Sequence, residues 1–230
     1  VGVQSLHDAE LAFLGRRHTA SQALAAVNRL IGTGFPTVSV DLIFGLPGQQ
    51  IAGWRRQLES VVGLGIHHVS CYQLTVHDGT VFGRRVAAGV LTEMDDDRQG
   101  EMFFATHRTL ERLGFGAYEV SNFASEPRHR SRHNQKYWDH TPYLGLGPSA
   151  HSLVDGVRWW NRRKLRLWQA EIERGRHPVD ERELRDGAEL LHRDLVVVRG
   201  VDVGADGVDV VLGGHGALLV VEVGKERQVA

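Results

Sequence analysis

The stretch TVSVDLIFGLPGQ, residues 37–49, decides the fold class. It opens with an apolar run broken only by Ser39 and Asp41. Such a run fits a strand buried on both faces, as in a parallel sheet covered by helices. The turn GLPGQQ follows. IAGWRRQLESVVGLG (51–65) then repeats Ile51, Trp54, Leu58 and Val61 or Val62 at helical spacing. Upstream, VGVQS (1–5) is a short β-rich run, followed by two helical segments, DAELAFLGR (8–16) and TASQALAAVNRLIGTG (19–34). Thr19 or Ser21 can cap the second and Gly34 can end it. Downstream, HHVSCYQLTV (67–76) predicts a strand. DDDRQGEMFFATHRTLERLG (95–114) predicts a helix whose acidic start suits its N-terminal dipole. AYEVSNF (117–123) predicts another strand. Strands alternating with helices across short turns give an α/β fold with crossover helices, as an open sheet or a barrel. In either, ligands bind beyond the carboxyl ends of the strands. That rule points to Gln4 and Ser5, Asp41 to Gly48, Gln73 to Thr75, and Glu119 to Asn122.

Composition removes several function classes. The net charge of the 230 residues is −1, so no global basic field draws in nucleic acid. The basic runs RHRSR (128–132) and RRKLR (162–166) are short and read as solvated faces. No apolar run reaches the roughly 18 residues of a membrane span, and no signal-peptide pattern is present. Cys71 is the single cysteine, so no intrachain disulfide forms. The reading is a cytoplasmic protein. It starts at Val1 in a strand-like run, which suggests further chain upstream.

Each candidate motif has a plain structural alternative. GLPGQ lacks the GK[ST] ending and the G-x-G-x-x-G spacing of nucleotide-phosphate loops. Asp41 inside a buried strand needs a partner or a ligand, because an unpaired buried carboxylate is costly; a structural salt bridge would also satisfy it. Gln4 can donate to and accept from a polar ligand. Arg16 can grip a carboxylate or lie on the surface. His129 and His133 stand four residues apart, but no third ligand has zinc-site spacing. In RHNQKYW (132–138), His133 beside Tyr137 and Trp138 suits a flat aromatic ligand, since rings stack and imidazole can ligate iron. A packed structural turn fits the same residues. In YLGLGPSAHS (143–152), Gly145 and Gly147 permit close approach of backbone to backbone or to ligand. VRWWNRR (157–163) reads as a strand leading into a helix.

Together, GVQS, LGR (14–16), DLIFGLPGQ, SCYQLTV (70–76), YEVSNFA (118–124), RHNQKYW, YLGLGPSAHS and RWWN (158–161) occur in an order that resembles one family. It is the radical S-adenosylmethionine (radical SAM) family related to oxygen-independent coproporphyrinogen III oxidase. The HNxxYW element and GLGPSAHS are more similar to its HemW-type haem-chaperone branch than to the oxidase branch. The resemblance covers roughly residues 1–170. It implies the C-terminal portion of an incomplete (β/α) TIM-like barrel over 1–125, with a C-terminal extension containing a HemW/HemN-like region over 126–184. It implies S-adenosylmethionine contacts at Gln4, Arg16, Asp41 and Thr75, and haem contacts at His133, Tyr137 and Trp138, with His133 a possible iron ligand. Haem and a haem-acceptor protein are the implied partners. The alternatives are the oxidase itself, in porphyrin biosynthesis, and a non-catalytic remnant.

The chain departs from this family in one large respect. The family's C-x3-C-x2-C motif holds a [4Fe–4S] cluster on three thiolates, and this chain has Cys71 alone. No catalytic residue is assigned, and the chain reads as a fragment or truncated product. Residues 185–230, rich in Val, Gly and Asp, read as short strands, a poorly ordered tail or frame-shifted sequence, with no function placed there.

Overall fold

The computed structural model describes residues 1–184 and the strands at 208–211 and 220–223. The rest of the Val/Gly-rich tail lies outside the described residues. The chain divides into two units, the boundary falling between Arg130 and Ser131.

The first unit runs β1 (Gly2–Gln4), α1 (Asp8–Phe13), α2 (Ala20–Gly32), β2 (Ser39–Phe44), α3 (Ile51–Val62), β3 (His68–Gln73), α4 (Val81–Ala87), α5 (Asp96–Arg112), β4 (Gly116–Glu119) and β5 (Asn122–Ala124), then a short 3-10 turn at Pro127–His129. Its sheet has the order β1-β2-β3-β5-β4. Strands β1, β2 and β3 pair in parallel, as the crossover helices require. Thr19 caps α2 through a reciprocal capping box with Gln22, and Asp95 caps α5.

Two expectations are corrected. The strand read at 117–123 is a hairpin, β4–β5, and β5 pairs β3 antiparallel. Glu119 makes the reversal by accepting hydrogen bonds from the Ser121 N–H at 2.9 Å and the Asn122 amide at 2.6 Å. Strand β2 is also not buried on both faces. Val40, Leu42 and Phe44 are buried, while Ser39, Asp41 and Ile43 are half-buried. Their alternation marks a sheet with helices on one side only.

The core lies on that helical side. Val40, Leu42, Phe44, Val69, Cys71 and Phe123 join Val27, Trp54, Leu58, Met102 and Leu110 in one apolar cluster. Side chains this fully buried stabilise by about 1.5–3 kcal/mol each. The Trp54 indole donates to Thr106 Oγ1 at 2.7 Å, so its one polar atom is satisfied as α3 packs on α5.

The second unit contains α6 (Arg132–Trp138), β6 (His151–Val154), β7 (Val157–Asn161), α7 (Leu165–Glu173) and β8 (Val179–Leu184). Strands β6, β7 and β8 form an antiparallel sheet in that order. Strands β9 (Val208–Val211) and β10 (Val220–Val223) pair antiparallel. Gly145 is required where it stands, because a Cβ there would fall 2.1 Å from the His151 carbonyl oxygen. Its N–H donates to Ser152 Oγ at 2.9 Å, and the Asn161 amide donates to the Gly147 carbonyl at 2.9 Å. In GLGP, then, backbone approaches backbone at Gly145. Among the described residues, no helix is long and apolar enough to cross a membrane.

Candidate functional site

The face of the first sheet opposite its helices is polar. In a parallel pair, residues in register point to the same side. Ser39 is in register with His68, and Asp41 with Ser70. These rows are hydrogen-bonded. Ser39 Oγ meets His68 Nδ1 at 2.7 Å, and His68 Nε2 meets the Tyr118 hydroxyl at 2.7 Å. Ser70 Oγ donates to Asn122 Oδ1 at 2.9 Å. Burial, and secondarily the positive charge of the Val1 amino group, lower the His68 pKa to about 4, so the ring is neutral near pH 7. Burial also raises the Tyr72 pKa; a hydrogen bond to Ser70 opposes this, while the charges of Asp41 and Glu119 add to it.

Gln4 joins this face. It is buried, and its φ of 68° is left-handed, a region few non-glycine residues occupy. Its amide nitrogen lies 2.6 Å from where a Cβ on Gly2 would stand, so the side chain folds back over Gly2. Gly2 is in register with Asp41. A bulge puts the Gln4 backbone opposite Leu42, and it is the folding of its amide over Gly2 that brings that amide towards the Asp41 side. Asp41 sits mid-strand and half-buried, not at the strand's carboxyl end. Arg16, just after α1, and Thr75, just after β3, are exposed. The Thr75 hydroxyl is 3.5 Å from the Gln73 carbonyl, the outer limit for a hydrogen bond.

At the carboxyl ends of β1 and β2, a network that sequence reasoning missed locks the loops. Glu10 accepts from Ser5 Oγ at 2.5 Å, from the Gln49 amide at 3.2 Å and from the Gln57 amide at 3.0 Å. Gln49 Oε1 in turn accepts from the Gly45 N–H at 2.9 Å, and Gln57 Oε1 from the Leu6 N–H at 2.8 Å. Ser5 and Gln49 end the quoted GVQS and GLPGQ stretches, and their role there is structural.

In the second unit, Ser131 caps α6 by accepting from the Asn134 N–H. His133 and Tyr137 are four apart on this helix and share a face. Their rings meet edge to face at 5.0 Å, and Tyr137 meets Tyr143 edge to face at 4.7 Å. Tyr143 is fixed by paired backbone hydrogen bonds to Leu153 at 2.8 and 2.9 Å. His133 and Tyr137 are exposed. Trp138 is half-buried and, one residue on from Tyr137, does not share its face. The structure thus gathers His133, Tyr137 and Tyr143. His129 belongs to the 3-10 turn and not to α6, so the four-residue spacing from His133 is not a helical one.

The residues present do not fit the iron–sulfur cluster. Cys71 is 2% exposed on the helix-covered side of the sheet, and burial pushes its thiol pKa far up. Among the described residues, no group of three or more His, Cys, Asp and Glu side chains is placed to hold a metal ion. The exposed His133 imidazole with its aromatic neighbours does fit an axial haem ligand by the chemistry of its donor set.

No family model matches the chain. Among individual proteins it is 36% identical over 199 residues to the haem chaperone HemW of Mycobacterium tuberculosis, covering 86% of this chain and 50% of the relative. It is 38% identical over 216 residues to the mitochondrial radical S-adenosyl methionine domain-containing protein 1 of Bos taurus, covering 89% of this chain and 48% of the relative. The chain spans about half the length of these relatives. Its fold is similar to that of the coproporphyrinogen III oxidase HemN from Escherichia coli, described as a radical SAM enzyme. That match has a TM-score of 0.63 at 18% identity, over 80% of this chain and 45% of that one. The chain is thus similar, over about half of their length, to proteins named as HemW haem chaperones and as radical S-adenosyl methionine domain-containing proteins.

Proposed function

We propose that this chain carries the haem-binding element of a haem chaperone, which holds haem on α6 for transfer to an acceptor protein. The observation that supports it is the exposed His133 imidazole, braced edge to face by Tyr137, itself braced by Tyr143. A neutral imidazole donates a lone pair to haem iron, and exposed rings offer apolar contact to the macrocycle. In this reading Tyr137 packs beside the ligand, and Trp138, about 100° round the helix, meets it from the flank. Gln4 and Asp41 would meet S-adenosylmethionine on the polar sheet face, with Arg16 and Thr75 at its rim. The thiolates for a cluster would come from outside this chain. The lone reduced cysteine fits a reducing compartment such as the cytoplasm.

The test is titration of the chain with haem, followed in the Soret band. Saturable binding with a shifted Soret maximum is expected, and His133→Ala is expected to weaken it at least tenfold. Unchanged binding by His133→Ala would remove His133 from the site. The oxidase alternative needs the three-thiolate cluster, and no residue of this chain favours it.

A further inference from the structure

At the amino ends of β2 and β3, the end away from the Glu10 network, Pro36, Thr37, His67, Arg128 and His129 line an open cleft of about 300 Å³. No role has been given to these residues. His129 is 7% exposed, and its ring meets that of His67 at a tilt, with centroids 4.5 Å apart and planes 37° apart.

Tracing the protons shows what the cleft can bind. Arg128 Nε–H donates to His129 Nε2 at 3.3 Å. A nitrogen that accepts carries no proton, so neutral His129 is protonated at Nδ1. That N–H meets Thr37 Oγ1 at 2.7 Å, which leaves the Thr37 hydroxyl proton to be donated. The Val38 N–H donates to His67 Nδ1 at 3.3 Å, so neutral His67 carries its proton on Nε2. The lone pairs of both rings are therefore taken within the protein. Thr37 O–H, His67 Nε2–H and the remaining guanidinium N–H groups of Arg128 are the donors left for a guest. A metal ion would find no ring lone pair here.

We infer that this cleft is a binding site for a small oxyanion, a phosphate or carboxylate group, held by Thr37, His67 and Arg128 over the buried His129. Glu126 is the opposing charge: it pairs with Arg128 at 2.8 Å and lies 4.0 Å from His129 Nε2. It occupies one terminal nitrogen of the guanidinium and leaves the other for the guest. Burial, His67 and Arg128 together lower the His129 pKa, with Glu126 opposing them, so the ring is neutral when the cleft is empty. A bound anion offsets the positive charge of Arg128 and raises it. The site goes beyond the haem reading and does not depend on it.

The experiment is histidine ring NMR on the full 230-residue chain at pH 7, titrated separately with inorganic phosphate and with acetate. Ionic strength is held constant with sodium chloride. Saturable shifts of the His67 and His129 ring resonances are expected with at least one of the two anions, together with a higher apparent pKa for His129. Which anion saturates identifies the group. Arg128→Gln, at an exposed side chain, is expected to weaken binding at least tenfold while the remaining ring resonances stay in place, and Thr37→Val to weaken it several-fold. Shifts that chloride alone reproduces, or that Arg128→Gln leaves unchanged, would overturn the inference. So would saturable binding of zinc chloride at both rings.

Discussion

Glu10 accepts a hydrogen bond from the Gln57 amide at 3.0 Å, linking α1 to α3 across the ends of two strands. The same carboxylate takes hydrogen bonds from Ser5 and Gln49. Glu10→Ala strands these donors in a partly buried place and is expected to cost about 2–3 kcal/mol. Glu10→Gln swaps one acceptor oxygen for a donor facing donors, and is expected to cost about 1–2 kcal/mol. Urea unfolding followed by tryptophan fluorescence reads both. A midpoint unchanged by Glu10→Ala would show that the network does not support the loops.

His68 makes folding pH-dependent. Its folded pKa is about 4, against an ordinary 6.5 in the unfolded chain. Between those values the unfolded chain binds a proton that the folded chain does not. Stability therefore rises with pH across this window and is lost as pH falls from about 6.5 towards 4, by roughly 3 kcal/mol from this ring. His107, His129 and His151 are also depressed and add slopes of the same sign. Comparison with His68→Asn isolates the His68 part. The variant is expected to be less stable at pH 7, having lost the bonds to Ser39 and Tyr118, yet to show a shallower decline on acidification. An equal decline would assign the slope to the other histidines.

Gly145→Ala places a methyl group against the His151 carbonyl. Backbone cannot move aside as a flexible side chain can, so the variant is expected to lose about 2–3 kcal/mol. Amide exchange in β6 and β7 is the readout, with faster exchange at Leu153 and Asn161 expected. Protection equal to the parent would mean that the loop shifts freely.

Tyr143 is a positioning residue for the proposed haem site. An edge-to-face contact adds about 0.5–1.5 kcal/mol, which corresponds to a two- to tenfold change in affinity if spent on holding Tyr137 and His133 in place. Tyr143→Phe keeps the ring and is expected to bind haem like the parent. Tyr143→Leu is expected to bind two- to tenfold more weakly with a broadened Soret band. Equal affinities in the two variants would separate Tyr143 from the site.

The longer elements could be read from the sequence because each obeys one period throughout. The Thr19 cap of α2, the Ile51–Trp54–Leu58 stripe of α3 and the acidic start of α5 are local signals, and the structure has all three helices. Helix α4 was missed: it is seven residues long with Gly83 in its first turn, and its one local signal is the Thr80 cap. The β4–β5 hairpin hid inside one β-rich run because its reversal depends on Glu119 reaching forward to Asn122, a contact without a turn signature. Trp138 stands about 100° round α6 from Tyr137, an offset that adjacency in the sequence conceals. The His67–His129 ring contact and the Glu10 network join residues far apart in the chain, and no local pattern anticipates such meetings.

Cys71, set aside as a cluster ligand, makes the protein its own clock. It is the single thiol, buried among the apolar side chains behind the sheet, and burial keeps it in its unreactive protonated form. A thiol-reactive dye can reach it only when that layer opens. The labelling rate then reports how often β3 parts from its helices, free of signal from the second unit, whose residues include no cysteine.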